Sequence, residues 1–190
     1  MRVISGTAKG RRLLPVPGDQ TRPITDRVKE ALFDIIGADV LESHWWDVFA
    51  GTGAVGIEAL SRGATYARLT DSGRLPLETI KRNLTQTGLG ERAEVRRADA
   101  FTLIGTAADH RFDYIYVAPP QYKGLWLRAV EGLDANPDWL SPDAWVMIQI
   151  HPKEFQAPAL TRLQEFDRRQ YGTTLVVFYT GGSSQSHSFD

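Results

Sequence analysis

Trp45-Trp46-Asp47-Val48-Phe49-Ala50-Gly51-Thr52-Gly53-Ala54-Val55-Gly56 is the stretch that decides the fold. Residues 45–49 are mostly aromatic and apolar and read as a short strand. The glycines of Gly51-x-Gly53-x-x-Gly56 turn that strand into a helix running through Ile57-Glu58-Ala59-Leu60. Glycine lets the chain turn tightly there and lets a ligand come close to the backbone. The spacing alone is a weak signal. Its place between strand and helix strengthens it, and so does Asp71, 20 residues after Gly51. An acid at the tip of a second strand can accept both hydroxyls of a ribose.

Working outward, further elements follow the same alternation. Upstream, Thr25 or Asp26 caps a helix carrying Val28, Ala31, Leu32, Ile35 and Ile36 at helical spacing, and Gly37 stops it. Downstream, the predicted order is strand 65–70, helix 75–84, strand 94–96, strand 112–117, helix 125–133 and strand 145–150. A helix over 160–166 and a β-hairpin over about 168–180 complete the core. Strands alternating with helices of about ten residues predict an α/β, doubly wound, mostly parallel sheet. The last two strands have no helix between them, which predicts an antiparallel hairpin at one sheet edge. Trp45 and Trp46 precede the glycine loop on a core strand, so both are read as packing residues.

Three segments are expected. Residues 1–24 form a small basic β-hairpin extension, 25–180 the catalytic domain, and 181–190, rich in Gly and Ser, a flexible tail. A length of 190 residues suits one domain able to bury about 70% of its unfolded surface. There is no cysteine, which excludes a disulfide scaffold, a zinc ribbon and a thiol nucleophile and fits a cytoplasmic protein. No apolar run approaches the length of a membrane span, and no secretory signal is visible. His44, His110, His151 and His187 lack metal-like spacing and read as ordinary surface or supporting residues, so no metal is expected. A monomer is the default.

The net charge of −1 argues against a uniformly basic nucleic-acid binder. The distribution says more. Residues 1–30 hold seven basic and three acidic side chains, a local charge of +4. Arg2, Lys9, Arg11, Arg12 and Arg22 are candidates for phosphate contact. A solvated basic hairpin is the plainer alternative.

The glycine loop suits a dinucleotide or S-adenosylmethionine. Asp47, just before the loop, favours the latter: an acid there meets an amino-acid ammonium and repels a pyrophosphate. Asp99-Ala100, after the third strand, can grip an adenine edge, although Asp99 alone reads equally as a helix N-cap. The Pro119-Pro120 strand exit and the terminal hairpin point the same way. A nicotinamide-dependent oxidoreductase rests on the glycine spacing alone.

Asp47-Val48-Phe49-Ala50-Gly51-Thr52-Gly53 resembles the first motif of class I methyltransferases. The chain as a whole resembles the bacterial 16S rRNA (guanine-N2)-methyltransferase family over nearly all of 1–180. Met1-Arg2-Val3-Ile4-Ser5-Gly6, Thr21-Arg22-Pro23, Asp26–Phe33, Gly56–Ala64 and Tyr171-Gly172 carry the likeness. The resemblance implies a seven-stranded Rossmann-like sheet and S-adenosylmethionine as cofactor, with S-adenosylhomocysteine as product. The substrate it implies is 16S rRNA or the small ribosomal subunit. Asp47 and Gly51 would then line the methionine end, Asp71 hold the ribose and Asp99 read the adenine, with Phe49, Ala50, Gly53, Gly56, Ser72 and Ala100 also binding the cofactor. The N-terminal hairpin would contact RNA.

The family places Asp or Asn before Pro-Pro and an aromatic, so that a side chain and a backbone carbonyl accept the two hydrogens of the target amine while the aromatic stacks on the flipped base. This chain has Ala118-Pro119-Pro120-Gln121-Tyr122. Ala118 cannot accept a hydrogen bond. Three readings stay open. Gln121 substitutes as acceptor with Tyr122 as the stacking face; the enzyme works slowly through the Pro119 carbonyl; or catalysis is lost and a non-catalytic RNA-binding assembly factor remains.

Overall fold

The computed structural model describes residues 1–18 and 24–181. Its strands are β1 (His44–Asp47), β2 (Tyr66–Asp71), β3 (Ala93–Arg97), β4 (Phe112–Val117), β5 (Leu140–Ile150), β6 (Leu163–Tyr171) and β7 (Thr174–Gly181). They form one sheet in the order β3-β2-β1-β4-β5-β7-β6. The first five are parallel to one another. β7 runs antiparallel to β5, and β6 antiparallel to β7. The mostly parallel seven-stranded sheet with its antiparallel terminal hairpin is the architecture the alternation predicts. Chain order reverses direction between β1 and β4, and a ligand crevice is expected at the carboxyl ends of the strands there.

Helices cover both faces: α1 (Asp26–Ile36), α2 (Ala54–Ser61) and α3 (Arg74–Thr87) on one, α4 (Ala100–Ile104) and α5 (Leu125–Ala135) on the other. The two tryptophans of β1 show how. Successive strand residues point to opposite faces. Trp45 stacks on Phe33 and Tyr114 at 5.1 and 4.8 Å, while Trp46 lies 4.8 Å from Trp139 and 5.3 Å from Phe112. Each indole N–H finds a hydroxyl, Ser43 at 2.8 Å and Thr70 at 2.9 Å. Both side chains are fully buried. Thr25 caps α1 by accepting the Val28 N–H. Among the described residues, no helix is long and apolar enough to cross a membrane.

The predicted N-terminal ribbon is reduced to one bridge, Arg2 opposite Arg12, with flanking bonds from the Val3, Gly10 and Leu13 amides. Its stability comes from the domain. Glu58, fully buried on α2, accepts the amides of Ile4 at 2.9 Å and Ser5 at 3.0 Å. The same carboxylate pairs with Lys29 at 3.0 Å and Arg62 at 2.8 Å. Ser61 accepts the Ala8 amide and donates to the Ser5 carbonyl. Gly6 lies so close to α2 that a Cβ would stand 1.8 Å from the Ser61 carbonyl oxygen.

Two expectations are corrected. Residues 160–166 are not helical: β6 begins at Leu163. The Asp134 carboxylate accepts the amides of Thr161, Arg162 and Leu163 and holds this stretch extended. A register shift between Glu165 and Asp167 breaks the strand alternation and leaves Leu160, Leu163 and Phe166 at a spacing that mimics a helix. Gly181, assigned to the tail, pairs with Leu163 as the last residue of β7. Arg22, with the rest of 19–23, and residues 182–190 lie outside the described residues.

Candidate active site

A cleft of about 760 Å³ opens at the carboxyl ends of β1, β2 and β4. Its wall includes Asp47, Phe49, Ala50, Gly51, Asp71, Ser72, Asp99, Ala100, Pro119, Pro120 and Gln121, so the fold brings together most of the residues singled out from the sequence.

Asp47 is the pivotal group. It ends β1 and is 2% exposed. One carboxylate oxygen accepts the Gly56 amide at 3.3 Å. The other has no hydrogen-bond partner among the described residues. Burial pushes its pKa up to about 7; the Gly56 amide pulls the other way, and the charge of Asp71 adds to the rise. A buried acceptor without a partner, facing a cleft, is costly unless a ligand donor meets it. The residues present therefore fit a cationic amino-acid group at this point.

Asp71 joins two loops, accepting the Gly51 amide at 3.0 Å through one oxygen and the Gly73 amide at 2.9 Å through the other. Each oxygen keeps a second lone pair for a hydroxyl donor. Asp99 caps α4, accepting from the Thr102 amide and hydroxyl at 2.8 and 2.9 Å. Those bonds, the backbone one foremost, hold its carboxyl below the usual range. Asp99 is thus an N-cap that also lines the cleft.

Gly53 and Gly56 do not line the cleft. Gly53 starts α2 at φ +78°, and a Cβ there would come within 2.9 Å of Leu69. Their spacing serves the seating of α2 on β2, and the Gly56 amide serves Asp47.

Tyr122 is also absent from the cleft wall. It is 66% exposed and sits at φ +60°. Its amide donates to Glu154 at 2.6 Å, and its ring lies 5.6 Å from that of His151. The tyrosine pins the Pro-Pro loop to the segment after β5.

Sequence reading missed Tyr116, Phe101 and Gln149, all on the wall. Tyr116 is buried, and its hydroxyl donates to the Gln149 side-chain carbonyl. A visible signal existed for Gln149: it is the single polar residue in Val146-Met147-Ile148-Gln149-Ile150.

On the hairpin, Arg2 pairs with Asp26 at 3.6 Å and Arg11 donates to the Gln86 carbonyl at 3.1 Å. Lys9 and Arg12 are exposed. His44 and His110, distant in sequence, meet with ring nitrogens 2.9 Å apart at the start of β1, the end of the strand away from the cleft.

The family described as conserved hypothetical protein 95 matches residues 1–180. A Bacillus subtilis relative, "Putative rRNA methyltransferase YlbH", is 38% identical over 182 residues, 94% of this chain and 98% of that protein. The Haemophilus influenzae "Ribosomal RNA small subunit methyltransferase D" is 32% identical over 181 residues, 94% of this chain and 91% of that one. A solved Escherichia coli structure, "Putative methyltransferase yhhF", superposes with a TM-score of 0.85 at 28% identity, covering 97% of this chain and 99% of that one.

Proposed function

The chain belongs to the conserved hypothetical protein 95 family, and from that premise we propose that it is an S-adenosylmethionine-dependent rRNA methyltransferase acting on the exocyclic N2 amine of one guanine in 16S rRNA. The observation that carries the reading is the unpartnered, buried Asp47 oxygen in a cleft shared with the Pro-Pro loop. When bound, the cofactor supplies an electrophilic methyl group. The chain's own residues bind and orient. Asp47 takes the methionine ammonium, Asp71 the ribose hydroxyls, and Asp99 with Ala100 the adenine edge. Ala118–Gln121 present the target base. Relatives named as rRNA methyltransferases support the substrate class. The enzyme is proposed to act in the cytoplasm as a monomer.

The deciding experiment offers radiolabelled S-adenosylmethionine to small ribosomal subunits and to rRNA lacking the modification. Label in one guanine is expected. No label, with cofactor and subunit binding intact, would support the reading that Ala118 favours, a binding factor that keeps the methyltransferase fold. S-adenosylhomocysteine should compete for the cleft and NADH should not.

The hairpin supplies the RNA contact in this reading. Replacing Lys9 and Arg12 by Gln should flatten the plot of log affinity against log salt by about two units of slope, one per lost phosphate contact. S-adenosylhomocysteine affinity should not change. An unaltered slope, measured by RNA binding across a salt series, assigns the contact elsewhere.

A further inference from the structure

Methylation of a base amine needs an acceptor for its hydrogens, because the nitrogen lone pair is delocalised into the ring. Ala118 offers none. Gln121 lines the cleft but is exposed at its lip. An unanchored glutamine is a poorly organised partner for a short-lived geometry, since its rotamers must be frozen each time.

The sheet register supplies another group. β4 pairs in parallel with β5, Val117 opposite Ile148. The next step along both strands sets Ala118 beside Gln149. Gln149 is half-buried, lines the same cleft, and stands alone as a polar side chain among apolar neighbours. Packing does not explain an amide there. Its carbonyl oxygen accepts the Tyr116 hydroxyl. Burial, with the nearby charge of Asp47, holds Tyr116 protonated well above its ordinary pKa. A phenol that stays protonated keeps its O–H for this bond, which fixes the amide with its oxygen toward Tyr116. That oxygen retains a second lone pair. An oriented acceptor of this kind stabilises charge that develops only in the transition state.

Resting on the methyltransferase reading, we propose that Gln149 is the amine acceptor that Ala118 cannot be, with Tyr116 as its positioning residue. The reaction balances without a further reagent. The guanine nitrogen lone pair forms the N–CH3 bond as the C–S bond breaks and leaves its electrons on sulfur. One amine proton departs to water, and the sulfur product is a neutral thioether. Gln149 accepts a hydrogen bond throughout and never takes the proton.

The test measures kcat on unmodified small subunits and the Kd of S-adenosylhomocysteine by calorimetry. Gln149→Leu should lower kcat about a hundredfold, as for loss of one well-placed transition-state partner, with Kd within about twofold of wild type. Gln149→Glu, which keeps acceptor oxygens, should stay within about tenfold of wild-type kcat, and Tyr116→Phe should lose about tenfold. Ala118→Asn added to Gln149→Leu should restore at least about tenfold, because it returns an acceptor from the neighbouring strand. Gln121→Ala should lower kcat less than Gln149→Leu does. Wild-type kcat in Gln149→Leu overturns the proposal. So does a loss that tracks a weakened Kd and that Ala118→Asn does not recover, the signature of a merely structural role. A wild-type protein that binds cofactor and subunits but transfers no methyl overturns the methyltransferase reading, and with it this one.

Discussion

Glu58→Ala is expected to destabilise the fold by about 3–5 kcal/mol, the usual cost of removing one member of a buried ion pair. For a chain of this size that lowers the melting temperature by roughly 10 °C or more. The physical reason is the number of groups left stranded. Lys29 is as completely buried as Glu58, and among the described residues its one other partner is the Arg2 carbonyl, at 2.6 Å. The Ile4 and Ser5 amides lose their acceptor at the same time. Arg62 can turn toward solvent, since its side chain is 15% exposed. Glu58→Gln keeps an acceptor for only one of the two amides, which bond different carboxylate oxygens, but leaves no cavity and should cost less than Ala. Adding Lys29→Met to Glu58→Ala should recover part of the loss by removing the stranded charge. Thermal unfolding orders the three variants, and hydrogen exchange at Ile4 and Ser5 reports release of the hairpin. An Ala variant as stable as wild type would mean that the carboxylate is not the anchor. Lys9, Arg11 and Arg12 sit on the segment that Glu58 holds, so the proposed hairpin contact predicts weaker RNA binding by the variant under folding conditions as well.

This anchor explains why local sequence reading went only part of the way. The alternation of elements is written in short-range patterns: the apolar run of β4, the helical spacing of α1 and the glycines before α2. Those elements emerge with bounds displaced by a few residues. Glu58, on a helix after a glycine loop, looks like any surface acid. Its burial depends on Lys29 and the N-terminal segment folding back over α2, which no local period encodes. Residues 160–166 failed for the opposite reason. A helix-like spacing was present, but Asp134, nearly thirty residues upstream, holds the backbone extended, and a bulge scrambles the alternation. At the site, acids beside glycines announced themselves. Tyr116 did not, because its place on the wall comes from strand register rather than from a motif, and Gln149 showed only as one polar residue in an apolar run. Gly53 and Gly56 belonged to the motif, yet they face Leu69 instead of the cleft.

Asp47→Asn should move stability and cofactor affinity in opposite directions. In the free protein, Asp47 has a pKa of about 7 against an ordinary 3.8. Between those values the folded state holds a proton that the unfolded chain has released. Stability is therefore lost as pH rises from about 4 to 7 and stays reduced above it. A rise of about three pKa units corresponds to at most about 4 kcal/mol at pH 8. Asparagine removes that penalty but buries an amide N–H in its place, which takes back about 1–3 kcal/mol. The net gain should raise the melting temperature of the free protein by roughly 5 °C at pH 8, whereas at pH 4, where Asp47 is already protonated, only the amide cost remains and the variant should melt lower than wild type. Binding should respond the other way. An ammonium against the ionised carboxylate is a charge-assisted bond of about 1.5–3 kcal/mol, so Asp47→Asn should weaken S-adenosylmethionine binding roughly ten- to a hundredfold at pH 8. In the wild type, affinity should be flat above pH 7 and fall by about tenfold per unit below it, since the proton must leave before the ammonium is received. In Asp47→Asn that slope should vanish. Calorimetry at pH 5.5, 7 and 8.5 separates the cases. A wild-type affinity independent of pH would show that the unpartnered oxygen does not receive the ammonium, and the methionine end of the cofactor would then have to be sought against another part of the cleft.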